Sequence, residues 1–170
     1  MSPETLVAWY CERCGRQELP AGDNWCPKCG DKMQRCSRYE WFLSDALEAE
    51  LEKRGVEFWV EEQYPFTDHR GFLWYFDLRV WCESKTAHGS YGWLIEIDGP
   101  GHSQQKKYKG PGGGYTRDED KVYEYNAECP RATWCALIRV TNEDCARKGG
   151  AVYRTAERLV SELWRWPVAS

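Results

Sequence analysis

Four cysteines near the start of the chain have the spacing of a metal site. They form two pairs, each with two residues between the thiols and a glycine directly after: Cys11 with Cys14, and Cys26 with Cys29. Two intervening residues let one tight turn direct both sulfurs at a single tetrahedral ion, and the glycine relieves steric strain where the chain doubles back. Because the protein fills all four positions, the spacing predicts a structural zinc ion rather than a catalytic one.

Carboxylates in apolar surroundings form a second group of candidate metal ligands. Glu96 and Asp98 lie two residues apart in a predicted strand and therefore project to the same face. Asp77 lies in the middle of another predicted strand. Burying like charges together is costly unless a cation or hydrogen-bond donors lie between them. The pattern favours a Mg²⁺ or Mn²⁺ site, and the alternative is a solvent-facing sheet surface with Arg79 as an ion-pair partner.

A histidine follows the second of these strands closely. His102 comes after Gly99-Pro-Gly101, and glycines let the backbone approach a ligand. A histidine next to a metal-binding strand can act as a general acid or base near neutral pH. The alternative is an ordinary surface residue in a loop.

The elements that would position these groups alternate between helix and strand. Ser37 and Glu40 have the spacing of a capping box that opens a helix, and Gly55 closes that helix. Hydrophobic periodicity predicts strands at 56–60, 72–82, 93–98 and 133–140, and further helices at about 117–127, 142–148 and 151–165. The order α-β-β-β-α-β-α predicts an α/β sandwich with a mixed sheet over 37–170, preceded by a zinc ribbon over 1–36.

Charge is distributed unevenly along the 170 residues. The net charge of −4 excludes a polycation that coats nucleic acid by charge alone. Residues 39–101 carry thirteen acids against five bases, whereas 102–117 carry four bases and no acid. Residues 11–38, around the ribbon, carry six basic residues, which suit either phosphate contact or solubility: Arg13, Arg16, Lys28, Lys32, Arg35 and Arg38.

The cysteine content and the start of the chain indicate a compartment. No signal-peptide pattern follows Met1, and no apolar run approaches the length of a membrane span. Nine cysteines without an export signal point to a reducing compartment, where paired spacings usually mean metal. The expected location is cytoplasmic or nuclear. Neither a membrane partner nor a small-molecule cofactor is expected.

Five short motifs, taken in order, resemble a nuclease family. The chain is similar to the very-short-patch-repair endonuclease branch of the PD-(D/E)XK superfamily, which includes enzymes with an E-D-x-H-D active site. The likeness covers about two thirds of the chain, over 37–145. It implies a restriction-endonuclease-like αβββαβ core, a DNA partner and metal-dependent endonuclease activity. The motifs are Tyr39-Glu40-Trp-Phe-Leu, Phe76-Asp77-Leu, Ile95-Glu-Ile-Asp-Gly99 with His102, Asp118-Glu-Asp-Lys121 and Leu137-Ile-Arg-Val-Thr-Asn-Glu-Asp144.

The resemblance implies a role for each matching residue. Asp77 would be the central metal ligand, and Glu96 or Asp98 would complete the inner shell. Glu40 would reach a water at the metal, a role that competes with helix capping. The remaining roles fall in the segment after Asp98: His102 as general acid or base, Asp118 orienting it or binding through water, Lys121 touching phosphate, and Lys106, Lys107, Lys109 and Arg117 clamping the DNA backbone.

Two departures from the family pattern limit the expectation. Asp98 stands where the E-x-K form of the motif has a lysine, which fits the E-D-x-H-D branch but removes one usual water activator. Mismatch-repair members carry bulky aromatics before the histidine, whereas Pro100 and Gly101 stand here, so mismatch recognition is not expected. The competing hypothesis is a non-catalytic zinc-ribbon module that binds nucleic acid or protein on an inactive nuclease fold. The form of DNA cut and the oligomeric state stay open.

Overall fold

The computed structural model describes residues 6–22, 24–55, 57–83, 90–98, Tyr125 and 134–163. Within these ranges the chain forms two sheets and two α-helices. Neither of the two helices has the length and apolar character needed to cross a membrane. The predicted helix at 117–127 lies outside the described ranges except for Tyr125, which is helical.

The N-terminal sheet has three antiparallel strands in the order β2-β1-β3. Trp9 and Met33 are buried in it beside the cysteines. Gly15 and Gly30, which follow the two cysteine pairs, have φ of 75° and 79°. Residues that carry a side chain rarely adopt this left-handed backbone conformation. The two glycines therefore allow the chain to reverse direction after each cysteine pair, as the sequence predicts. The strands are β1 (Leu6–Cys11), β2 (Gly15–Pro20) and β3 (Gln34–Arg35).

The second sheet has four strands in the order β4-β5-β6-β7 and is mixed, as predicted. β4, β5 and β6 are antiparallel neighbours, and β7 joins β6 in parallel. This sheet and the helices that pack on it form the larger part of the fold. The described elements are α1 (Arg38–Lys53), β4 (Phe58–Thr67), β5 (Leu73–Glu83), β6 (Ser90–Asp98), β7 (Trp134–Thr141) and α2 (Ala151–Leu163), with a short 3-10 helix (Lys148–Gly150) before α2.

The core lies between the sheet and the two helices. Leu43, Leu47 and Leu51 lie at helical spacing along α1 and are fully buried. They share one apolar cluster with residues from β5, β6, β7 and α2, among them Val80, Trp93, Ile95, Val140, Val152 and Leu159. The helices therefore fix one face of the strands that carry the predicted carboxylates.

Two predicted elements differ from the observed ones. β4 extends to Thr67, well beyond the predicted 56–60, and includes Pro65. Because β4 is the outer strand of the sheet, a residue without a backbone N–H is tolerated there. The predicted helix at 142–148 is wrong: 142–145 form turns and a 3-10 helix follows at Lys148–Gly150. Gly149 and Gly150 have φ of 72° and 70°, which interrupts a continuous helix.

The hairpin between β4 and β5 is organised by one buried carboxylate. Asp68 Oδ1 accepts the backbone N–H groups of Arg70 and Phe72, both at 2.9 Å, and Oδ2 accepts the Trp74 indole N–H at 3.2 Å. Desolvation opposes ionisation of Asp68, but these donors and the Arg70 side chain lower its pKa to about 2. Asp68 therefore stays ionised and closes the turn.

Asp68→Asn should lower the melting temperature at neutral pH by several degrees. Asparagine offers one acceptor oxygen in place of two, so at least one donor at the turn loses its partner. Thermal unfolding followed by circular dichroism measures the effect. Asp31→Asn, an exposed position in the ribbon, is the matched control and should leave the midpoint nearly unchanged. Equal midpoints for wild type and Asp68→Asn would refute this role.

Candidate functional site

The four predicted zinc ligands converge to a single point. Their sulfur atoms all lie within 4.8 Å of one another, and Cys11 Sγ is 3.6 Å from Cys29 Sγ. Four thiolates around a tetrahedral zinc ion are separated by roughly 3.8 Å, given Zn–S bonds of about 2.3 Å. Among the described residues no other set of three or more cysteine, histidine or acidic side chains is as closely grouped. The cluster is thus compatible with a zinc ion.

Hydrogen bonds around the cluster favour a thiolate at one cysteine. Gln17 Nε2 donates to Cys26 Sγ at 3.0 Å. Desolvation works against ionisation, but this bond and the backbone N–H groups of Lys28 and Cys29 lower the pKa of Cys26 to about 6. The backbone of Asp31 also stabilises the Cys29 thiolate, yet desolvation and the neighbouring thiols raise the pKa of Cys29 to about 12. Since one thiolate opposes the next, four together require a cation.

Asp77 lies where β5 and β6 stop pairing. The ladder between these strands runs from Glu83–Ser90 to Leu78–Ile95 and goes no further. One further step of the same register would place Asp77 opposite Glu96. The backbone N–H of Ile97 donates to Asp77 Oδ2 at 2.7 Å, so a side chain takes a β6 donor just past the end of the backbone ladder. Ile97 is the residue between Glu96 and Asp98, so the contact holds the Asp77 carboxylate at the backbone between the two predicted ligands. The carboxylate oxygens of Asp77, Glu96 and Asp98 do not all lie within 4.8 Å of one another, as the four sulfurs do.

The strand on the other side of β5 is distorted at the same level. Gln63 lies opposite Asp77, between the pairs Glu62–Leu78 and Tyr64–Phe76. Its φ of 48° is the only positive value at a non-glycine position among the described residues. Such a conformation is strained for glutamine and needs support from its surroundings. Gln63 is buried, and its Nε2 donates to Glu40 Oε2 at 2.6 Å.

Glu40 completes the predicted capping box and also lies near Asp77. Its Oε1 accepts the Ser37 N–H at 2.6 Å, which confirms the cap, while Oε2 accepts from Gln63. Only 5% of Glu40 is exposed. Desolvation, followed by the charge of Asp77, raises the pKa of Glu40 to about 8 despite these hydrogen bonds. Capping occupies one oxygen and leaves the carboxyl within electrostatic reach of Asp77, so the two roles are less exclusive than the sequence suggests.

The raised pKa of Glu40 predicts a pH-dependent stability. A carboxyl with a pKa near 4.5 in the unfolded chain and about 8 in the folded protein binds its proton more tightly when folded. Its contribution to stability is therefore lost as the pH rises from about 5 to 8. Glu40→Gln removes the ionisation, and the decline of unfolding free energy over this interval should shrink by on the order of 1–3 kcal/mol.

Urea unfolding of the zinc-loaded protein at pH 5.5 and pH 8, without added Mg²⁺, measures this difference. Glu143→Gln, an exposed position in the turn after β7, should keep the wild-type pH dependence. Identical pH dependence in wild type and Glu40→Gln would contradict the burial of a titrating carboxyl.

Arg139 on β7 is a site residue that sequence reasoning missed. The parallel register places it opposite Glu96, and its Nη1 lies 3.5 Å from Asp98 Oδ2. Its signal was a single charged residue within an apolar strand. Arg79, which the sequence offered as a partner for the carboxylates, pairs instead with Glu61 at 3.3 Å. The Arg79 guanidinium also lies over the rings of Tyr64 and Trp81 at 4.4 Å from each centroid.

Several predicted site residues lie outside the described ranges, and their roles stay predictions. They are His102, Lys106, Lys107, Lys109, Arg117, Asp118 and Lys121. The described part of the chain contributes Glu40, Asp77, Glu96 and Asp98, placed around the open end of the β5–β6 ladder.

Comparison of the chain with protein-family models, with curated proteins and with solved structures finds no match.

Proposed function

We propose that the chain is a metal-dependent DNA endonuclease that hydrolyses phosphodiester bonds with Mg²⁺ or Mn²⁺. The observation that carries the proposal is the position of Asp77. It lies where β5 and β6 stop pairing and accepts the backbone N–H between Glu96 and Asp98. Together with desolvation, which is the larger cause, its charge raises the pKa of the buried Glu40. This carboxylate site is what the resemblance to the E-D-x-H-D nucleases calls for.

The electrostatics of the site favour a cation. Asp77 and Glu40 come from different elements, yet the ionised form of one opposes ionisation of the other. Asp77 with Glu96 or Asp98 supplies the oxygen ligands that hard divalent cations prefer. When bound, Mg²⁺ would polarise the scissile phosphate and stabilise the negative charge that develops on it.

The remaining chemistry falls to side chains of the chain itself. Gln63 holds Glu40 in place, and the Ile97 N–H holds Asp77. Arg139 Nη1 lies 3.5 Å from Asp98 Oδ2 and so brings a positive charge to the position where the family's E-x-K form has a lysine. In the proposed reaction His102 takes a proton from the attacking water, which displaces the leaving oxygen in line at phosphorus.

The ribbon and the basic loop would extend the contact with DNA. Arg13 of the ribbon and Arg38 at the start of α1 form ion pairs with Asp31 and Glu18, at 3.5 and 2.7 Å. The remaining exposed bases suited to phosphate contact are Lys28, Lys32 and Arg35. Together with Lys106, Lys107, Lys109 and Arg117 they would supply a salt-dependent, sequence-independent share of affinity.

Cleavage assays on several DNA forms test the proposal. Zinc-loaded protein is incubated with supercoiled plasmid and with branched DNA, with Mg²⁺, with Mn²⁺, or with Ca²⁺ alone. Omitting the catalytic ion is preferable to EDTA, which would also strip the cysteine cluster. The expected result is nicked or linear DNA with Mg²⁺ or Mn²⁺ only. Intact DNA of every form under all conditions would overturn the assignment.

One observation favours the competing function, a non-catalytic nucleic-acid-binding module. The Arg139–Asp98 ion pair offsets one of the negative charges that a metal ion would need. Under this alternative the protein would bind DNA with a strong salt dependence and would show no metal-dependent cleavage. A protein-binding adaptor would show no DNA affinity even at low salt.

A further inference from the structure

Arg16 extends from β2 of the ribbon onto the four-stranded domain. Its Nε lies 2.8 and 3.0 Å from the two carboxylate oxygens of Glu62, and its Nη2 also donates to Glu62. Its Nη1 donates to Asp45 Oδ1 at 2.6 Å, and the guanidinium lies 5.8 Å from the ring centroid of Trp41. One side chain of the ribbon thus binds both β4 and α1.

This contact differs from an ordinary surface ion pair. The Glu62 side chain is only 10% exposed and that of Arg16 is 33% exposed. Exposed single pairs contribute little, but a planar guanidinium that donates in parallel to a shielded carboxylate fixes geometry as well as charge. The other contacts between the two units are weaker in this respect: Arg38 with Glu18 is largely exposed, and Gln34 Nε2 lies 3.4 Å from Tyr75 Oη.

Glu62, which Arg16 binds, is the immediate neighbour of the strained residue Gln63. Glu62 precedes Gln63, whose φ of 48° turns its side chain toward Glu40. Gln63 also lies opposite Asp77 in the β4–β5 register. A strained conformation persists only where its neighbours hold it. The hydrogen bonds from the Arg16 guanidinium to Glu62 hold β4 in place one residue before the strained Gln63.

We propose that Arg16 is a positioning residue for the carboxylate site. By holding Glu62 it keeps Gln63 in the conformation that holds Glu40 beside Asp77. The basic composition of the ribbon suggested a phosphate contact for Arg16, whereas its guanidinium is engaged by two carboxylates. The ribbon thereby stabilises the geometry of the carboxylate site, in addition to its proposed contact with DNA. The effect on cleavage rests on the proposed function, but the effect on Gln63 does not.

Arg16→Lys is the decisive variant because it keeps the positive charge but removes the planar guanidinium that donates in parallel to Glu62. The NMR resonances of the Gln63 side-chain amide report the local geometry without DNA. Comparing the spectra of wild type and Gln63→Asn assigns them. We expect its resonances to shift and its hydrogen exchange to accelerate in Arg16→Lys and Arg16→Ala. Arg38→Lys, at an arginine of α1 that pairs with Glu18 of the ribbon, should leave them unchanged.

On DNA, both Arg16 variants should lower kcat by about 10- to 100-fold, because small displacements of catalytic groups are costly. KM and the salt dependence of DNA binding should stay at wild-type values. If wild type does not cleave DNA, the proposed function fails and the Gln63 amide still decides the role of Arg16. Unchanged Gln63 resonances in both variants would overturn the proposal. So would wild-type kcat in Arg16→Lys, or a loss confined to KM with a smaller salt slope in Arg16→Ala, which is the signature of a phosphate contact.

Discussion

Asp77→Asn should lower the rate of Mg²⁺-dependent DNA cleavage by about 10³-fold or more. The substitution removes one negative charge at the centre of the carboxylate site, and a loss of this size corresponds to about 4 kcal/mol of transition-state stabilisation. The asparagine carbonyl can still accept the Ile97 N–H, so the fold should persist. Plasmid cleavage and a DNA-binding titration on the same preparations measure the two effects.

The affinity for DNA should change by no more than a few-fold in this variant, because the Asp77 carboxylate and the DNA phosphates are both negatively charged and do not attract each other. Glu143→Gln is the control for loss of one surface carboxylate and should cleave DNA at the wild-type rate. Cleavage retained in Asp77→Asn would place the chemistry elsewhere. Binding without cleavage in both wild type and variant would favour the non-catalytic module.

Cys26→Ser should release the zinc ion and unfold the ribbon. The three-stranded sheet encloses only a small apolar cluster around Trp9 and Met33, which is too little to hold a sheet of this size without a metal. Outer-shell changes at zinc sites already lower affinity by about 10- to 100-fold, and losing a thiolate ligand should cost more. Metal analysis and hydrogen exchange over 6–35 measure the loss.

Cys36→Ser is the matched control for the zinc experiment. Cys36 lies in the same part of the chain but is not one of the four clustered thiols. It should keep one zinc ion per chain and the wild-type exchange pattern. A full zinc content in Cys26→Ser, or an unchanged exchange pattern over 6–35, would contradict a structural metal in the ribbon.

Local sequence signals predicted those features that a few neighbouring residues determine. The two cysteine pairs and their glycines predicted the ribbon cluster, and Ser37 with Glu40 predicted the cap of α1. Strand alternation likewise predicted that Asp77 and Glu96 come from strands of one sheet, which proved to be neighbours. The helix predicted at 142–148 is wrong although it stopped before Gly149 and Gly150, since the segment after β7 forms turns and a short 3-10 helix.

Features that depend on tertiary register were beyond this reasoning. Strand parity does not indicate that the β5–β6 ladder ends at Leu78–Ile95, nor that the β6–β7 register places Arg139 at Glu96. Gln63 shows no local signal for a positive φ, because the conformation is maintained by partners distant in sequence. Arg16 had the same appearance as the other ribbon bases until its partners on α1 and β4 were seen.

Binding of Mn²⁺ to the zinc-loaded protein tests the carboxylate site most directly. Titration followed by electron paramagnetic resonance counts bound Mn²⁺ without DNA and without turnover, and zinc is silent in this measurement. The account predicts one Mn²⁺ per chain in wild type and in Glu143→Gln, and loss of that site in Asp77→Asn. Absence of bound Mn²⁺ in wild type, or an unchanged site in Asp77→Asn, would contradict it.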